Sequence, residues 1–168
     1  MYIKRKLKDF GPLEALVLSS IIYVIVMLLW TASTRSDVLQ KANDIKSNHK
    51  SVVDFINNEV NNCSSSRDGF TSWGEKCNSV WTSDKIINYI LSNIKLKNPY
   101  SINKPLIQSS QDPRIQAEGK AGQSTDRGII FVSSNNFESE EGSEWVIGTC
   151  IKSPCVAAGN NELVSLYR

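Results

Sequence analysis

Residues 10–32 read FGPLEALVLSSIIYVIVMLLWTA, and the reading of this stretch decides the fold. From Ala15 to Ala32 there is no charge, and only Ser19, Ser20 and Thr31 are polar side chains of any strength. As a helix these eighteen residues rise about 27 Å, close to the thickness of a bilayer's hydrocarbon core. A secretory signal would have a shorter apolar core and a small-x-small cleavage site, and Thr31-Ala32-Ser33 imitates one poorly. The stretch therefore reads as a membrane-spanning helix. Glu14 stands about one turn inside its start. A carboxylate there is costly without a partner, and a simple anchor does not explain it.

Upstream lies a short basic head with Lys4, Arg5, Lys6 and Lys8. Such a flank marks the cytoplasmic side, so the rest of the chain is expected to face outward. Without residues 1–9, the 19 basic and 17 acidic residues become 15 and 16, a formal charge of −1. The basic balance sits in the head and gives no argument for nucleic acid. At 168 residues there is room for the anchor and one domain, with expected divisions at 1–9, 10–32 and 33–168.

Downstream, residues 33–62 contain no Gly or Pro. Val38, Ala42, Ile45, His49, Val52, Val53, Ile56 and Val60 recur in steps of three and four, one face of a helix. Lys41, Asp44, Lys46, Lys50, Asp54, Asn57 and Asn58 occupy the other face. The pattern predicts one continuous helix from about Leu13 to Asn61, roughly 73 Å long. Its amphipathic half must bury its stripe on a sheet or on a neighbouring subunit.

Residues 63–81 read as a polar loop between cysteines. Ser83-Asp84 reads as an N-cap before a short helix carrying Ile86, Ile87, Ile90, Leu91 and Ile94, stopped by Asn98-Pro99. Residues 99–126 read as irregular. Residues 128–132, 144–149 and 163–167 read as three strands of an antiparallel meander, with an acidic turn at 135–142. The expected fold is α+β: a long N-terminal helix on a small antiparallel sheet.

The four cysteines, Cys63, Cys77, Cys150 and Cys155, all follow the apolar stretch. An even count in an exported domain favours two disulfides, and four cysteines allow three connectivities. The pairs closest in sequence, Cys63–Cys77 and Cys150–Cys155, are preferred. Their spacings are not those of a zinc ribbon, so no metal or other cofactor is expected. His49, the only histidine, lies on the apolar stripe and reads as a packing residue. No base stands ready for a nucleophile, so no catalytic residue and no enzyme are expected. Glu138, Glu140, Glu141 and Glu144 lack the ligand spacing of a calcium loop and read as a solvated hairpin tip. Phe70, Trp73 and Trp81 read as core under a disulfide loop in preference to an adhesive patch.

The N-terminal stretch resembles that of a type IV pilin. The resemblance rests on Phe10-Gly11-Pro12-Leu13-Glu14 opening a long apolar helix behind a basic leader. It extends in layout to FINNEVNNC (55–63), Lys97-Asn98-Pro99-Tyr100, the Gly128 strand and the cysteine loop near the C-terminus. Asp9 stands where the family's leader ends in glycine, and the family's proline midway along the membrane helix has no counterpart. The resemblance implies leader processing between Asp9 and Phe10 by a prepilin peptidase, with methylation of the new amine. It implies that this amine pairs with Glu14 of a neighbouring subunit and so sets the register of assembly. The implied function is a structural subunit of a pilus-like extracellular filament, used for adhesion, motility or DNA uptake. A membrane-anchored minor pilin or pseudopilin of a secretion or assembly system is the alternative. The implied partners are copies of itself, the inner membrane before assembly, and the pilus assembly machinery.

Overall fold

The computed structural model describes residues 11–65, 69–118, 127–136 and 143–167. Helix α1 runs without a break from Pro12 to Ser65. Its start is built as the sequence allows. Gly11 is the N-cap, its carbonyl accepting the Ala15 N–H at 3.1 Å, and Pro12 sits at the first helical position, where its missing N–H is no loss. By contacts the chain divides into two compact units, Met1–Gln40 and Lys41–Arg168. The division falls eight residues beyond the expected one at 32/33. Val38 is still exposed, and the first fully buried position of the stripe is Ile45.

In the second unit, α1 buries Ile45, His49, Val52, Ile56, Glu59, Val60 and Cys63. These are steps of three and four, the helical stripe that the sequence predicts. The helix runs four residues past the expected end at Asn61, which puts Cys63 inside its last turn. Helix α2 spans Ser83–Asn93. Its cap is Thr82, in extended conformation, one residue before the expected Ser83. The Ser83 hydroxyl instead meets that of Ser109 at 2.9 Å. The helix stops at Asn93, ahead of Asn98-Pro99, because Ile94 turns extended and packs with Leu96 against the core.

The sheet has four strands in the order β1-β2-β3-β4: Ile107–Ser109, Ile130–Asn136, Ser143–Cys150 and Asn161–Tyr167. Strands β2, β3 and β4 form the expected antiparallel meander. The short β1 adds a parallel pairing at β2, with Ile107 opposite Ile130. The sheet is therefore mixed. Strand β1 and helix α3 (Pro113–Glu118) both lie in the stretch read as irregular. Each is too short for periodicity to reveal. The signal for α3 was its cap: Asp112 Oδ1 accepts the N–H groups of Arg114 at 3.0 Å and Ile115 at 3.3 Å, with Pro113 first in the helix.

The core lies between the sheet and helices α1 and α2, with Ile130, Val132, Trp145 and Ile147 meeting Ile45, Val52, Ile56 and Ile90. Alternation sends Phe131, Val146 and Gly148 to the opposite face. There α3 lies so close that a Cβ on Gly148 would come within 2.6 Å of the Pro113 carbonyl oxygen and 2.9 Å of the Ala117 Cβ. Trp81 and Trp145 are fully buried, their ring centroids 6.2 Å apart, and Trp73 meets Trp81 edge-on at 5.1 Å. Trp73 and Trp81 thus belong with the core, while Phe70 is two-thirds exposed.

Candidate functional site

The first unit carries the apolar stretch, and none of its most apolar eighteen-residue window is buried. Side chains on every side of the helix are open, from Leu16 and Ile22 to Leu29 and Trp30. The helix is long and apolar enough to cross a membrane. Within residues 15–32 its serine and threonine hydroxyls are satisfied by their own helix. Ser19 donates to the Leu16 carbonyl at 2.9 Å, Ser20 to Val17 at 2.8 Å and Thr31 to Leu28 at 3.0 Å. Such back-bonding keeps these three hydroxyls from needing lipid or a neighbouring helix as a partner.

Glu14 is the third residue of α1, and its Oε2 accepts the Gly11 N–H at 3.1 Å. This is half of a capping box: a carboxylate at the third position reaching back to the cap residue's N–H. The helix dipole favours a negative charge at the same place. Glu14 therefore has a local structural role beside the one implied for assembly. Phe10 and Asp9, the other residues expected at the leader junction, lie outside the described residues.

The second unit holds both expected disulfides, Cys63–Cys77 and Cys150–Cys155. The larger loop is held by more than its sulfur bridge. Glu59, buried on α1, accepts the Ser72 N–H at 3.1 Å and the Ser72 hydroxyl. Trp73 Nε1 donates to Glu75 at 2.8 Å, and Lys85 Nζ lies 2.5 Å from the other Glu75 oxygen. Burial raises the Glu75 pKa, but the hydrogen bonds from Lys85 and Trp73, with the lysine's charge, more than offset this and hold it below its ordinary value. The sequence left Glu59 unremarked. Its signal was position: Ile56, Glu59 and Cys63 continue the buried steps of the stripe.

His49 is packed as expected, but it is not only packed. Its Nδ1 lies 3.1 Å from Glu162 Oε2 on β4, and its Nε2 lies 3.4 Å from the Ile147 carbonyl oxygen. Burial lowers its pKa; the Ile147 carbonyl and Glu162 act in the opposite direction without reversing it. The Asn98–Tyr100 motif meets the Gly128 turn. Gly128 has φ +77°, and a Cβ there would lie 2.6 Å from Asn98 Oδ1 and 2.9 Å from both Ile45 and Tyr100. Tyr100 donates its hydroxyl to the Ile151 carbonyl at 2.7 Å, beside the second disulfide loop. Only glycine permits this approach.

Of the acidic turn, Glu138, Glu140 and Glu141 lie outside the described residues. Glu144 is buried on β3, 3.2 Å from Arg114 Nη2 and 3.3 Å from the Tyr167 hydroxyl. Among the described residues no cluster of three or more His, Cys, Asp or Glu side chains is placed to hold a metal ion. An open groove of about 540 Å³ runs between the end of α2 and the segment before β1. Compared with known protein families, with curated proteins and with solved structures, the chain matches none.

Proposed function

We propose that this chain is a structural subunit of a type IV pilus-like extracellular filament, held in the inner membrane before assembly and joined to copies of itself through α1. One observation carries the reading. A single helix has an amphipathic half covered by its own sheet and an apolar half with none of its central window covered by its own chain. Lipid solvates that apolar half before assembly, and neighbouring copies of the same helix solvate it afterwards. Both environments are apolar, so the transfer free energy per residue is small. Glu14 supplies the directional contact that apolar packing lacks. In this proposal, processing after Asp9 gives Phe10 a methylated free amine, and that amine pairs with Glu14 of the next subunit.

Glu14→Ala tests this in cells that make the protein. Surface filaments seen by electron microscopy should fall at least about tenfold, as expected when a partner is removed from a desolvated charge pair. Membrane level and both disulfides should not change. Filaments as abundant as wild type would sink the mechanism. Asp9 at the leader junction favours a second reading, a membrane-anchored minor pilin or pseudopilin. An intact mass that retains residues 1–9 in surface filaments would rule out the proposed amine pairing.

A further inference from the structure

Strand β4 is the last in the sheet order, so one of its long edges pairs with β3 and the other has no strand beside it among the described residues. The hydrogen-bond pattern fixes which groups lie on that free edge. Asn160 accepts the Ile151 N–H at 2.7 Å, one step beyond the β3–β4 ladder and in its register. Hydrogen-bonded pairs alternate in an antiparallel ladder, so Glu162, Val164 and Leu166 bond to β3. Asn161, Leu163, Ser165 and Tyr167 then aim their backbone N–H and C=O groups away from it. No backbone group meets them there among the described residues.

Natural sheets blunt such edges, with shortness, Pro or inward-pointing charge. The opposite edge of this sheet is short, since β1 has 3 residues. Strand β4 has 7, with no Lys, Arg or Pro. Its one charge among them, Glu162, turns toward α1, where its carboxylate lies 3.1 Å from His49 Nδ1. Leu163 and Tyr167 stand on the other face by alternation and are 41% and 71% exposed. Ser165 lies midway between them.

That spacing makes the strand complementary to itself. An antiparallel copy related by a two-fold axis at Ser165 sets Leu163 opposite Tyr167 of the second copy, and Tyr167 opposite Leu163. Val164 falls opposite Leu166, and Ser165 opposite its own counterpart. Outward residues meet outward residues, so 163, 165 and 167 exchange about six backbone hydrogen bonds across the pair. Glu162 lies beyond these paired residues, so no like charges face each other. An unrelated strand would satisfy the backbone alone. This one also covers the two large apolar side chains that β4 leaves exposed.

We infer that the free edge of β4 takes β4 of a second copy, joining their two four-stranded sheets edge to edge. The contact is isologous and closes on itself, so it makes a pair. It goes beyond the filament reading and does not rest on it. One strand a side is small against the roughly 20–30 residues a side of a standard interface, so the pair forms between copies held in one membrane.

The full chain carrying Ser165→Cys, in membranes of cells that make it, tests this under mild oxidation. Opposed residues of a hydrogen-bonded pair stand about 5.5 Å apart at Cα, within the span of a disulfide. Linked dimer on a non-reducing gel should exceed by at least about fivefold that from Ile102→Cys, a fully exposed position off the strand. Adding Leu163→Lys should lower the Ser165→Cys link about fivefold. Adding Tyr167→Glu as well should restore it to within about twofold, because each lysine then faces a glutamate across the pair. Near-UV circular dichroism checks that each variant is folded. No dimer from Ser165→Cys, an equal dimer from Ile102→Cys, or a link to a different protein overturns the inference. So does a folded chain with both charge changes that links no better than with Leu163→Lys alone.

Discussion

The two halves of α1 share one backbone geometry and differ in every other respect. In residues 13–32 apolar side chains point all round the helix, and none of the most apolar eighteen-residue window is covered by the chain itself. In residues 41–65 apolar side chains return every three or four positions, and Ile45, Val52 and Ile56 are fully buried. A helix apolar on all sides needs an apolar surrounding; a helix with a stripe needs only one wall. The sheet supplies that wall to the second half. The first half must draw its surrounding from outside the chain, and it is long and apolar enough to cross a membrane. Each half also carries one glutamate. Glu59 is buried and bonded to Ser72, thirteen residues away, while Glu14 is exposed and bonded to Gly11, three residues away. The buried carboxylate ties the helix to a loop; the exposed one caps the helix itself.

The largest expected effect separates the halves directly. Ile56→Asp places an unpaired charge in the core and should destabilise the detergent-solubilised protein by about 3–5 kcal/mol, read from near-UV circular dichroism on heating. Val24→Asp should leave that transition where it is and weaken membrane insertion by about 3 kcal/mol, read from the fraction recovered in membranes. If both variants unfold the same transition, the halves are not energetically separate.

The two carboxylates sharpen the comparison. Glu59→Gln removes the charge behind the Ser72 bonds and should cost about 1–2 kcal/mol of the same transition. Glu14→Gln should not move it. Equal shifts would mean that Glu14 contributes to the folded domain as well as to its own helix end.

The smallest effect concerns His49 in the buried half. Its folded pKa lies below the ordinary 6.5 because burial opposes the charge. Glu162 on β4 faces it, and Lys46 lies 4.0 Å from the other Glu162 oxygen. As pH falls the unfolded chain takes up this proton first. The contribution is therefore full above pH 6.5 and declines below it, by at most about 1.4 kcal/mol per pH unit. The shift in melting temperature between pH 7.5 and pH 5.5 should be smaller in His49→Gln than in wild type. An identical shift would place the acid sensitivity elsewhere.

Much of this was legible in the sequence because it is local. The unbroken α1 follows from 33–62 having no Gly or Pro, and the buried stripe follows from its spacing. The meander follows from three apolar runs, although Gly128, in a turn at φ +77°, delays β2 to Ile130. The cysteine pairs nearest in sequence are the pairs formed. Strand β1 escaped because three residues carry no period, and α3 because the cap at Asp112 was its only strong mark. The candidate site divides in the same way. Glu14 and the apolar stretch stand out in the sequence, whereas the groove is made by α2's end and the segment before β1, neither of which suggests a cleft by itself.

By itself the sequence determined the two longer helices and the three strands of the meander, the apolar stripe of α1 beyond residue 33, and that residues 13–32 need an apolar surrounding. These are properties of neighbours three or four residues apart, and chain chemistry fixes them before any long-range contact forms. Only the tertiary structure decided that Glu59 would hold Ser72, that His49 would meet Glu162, and that Asn98 would press on Gly128. The His49–Ile147 contact joins residues 98 positions apart. Such pairings depend on strand register and on where the helix crosses the sheet. A shift of one residue in register would turn Glu162 to the opposite face of β4 and leave His49 facing Leu163 or Asn161, a difference that local pattern cannot express.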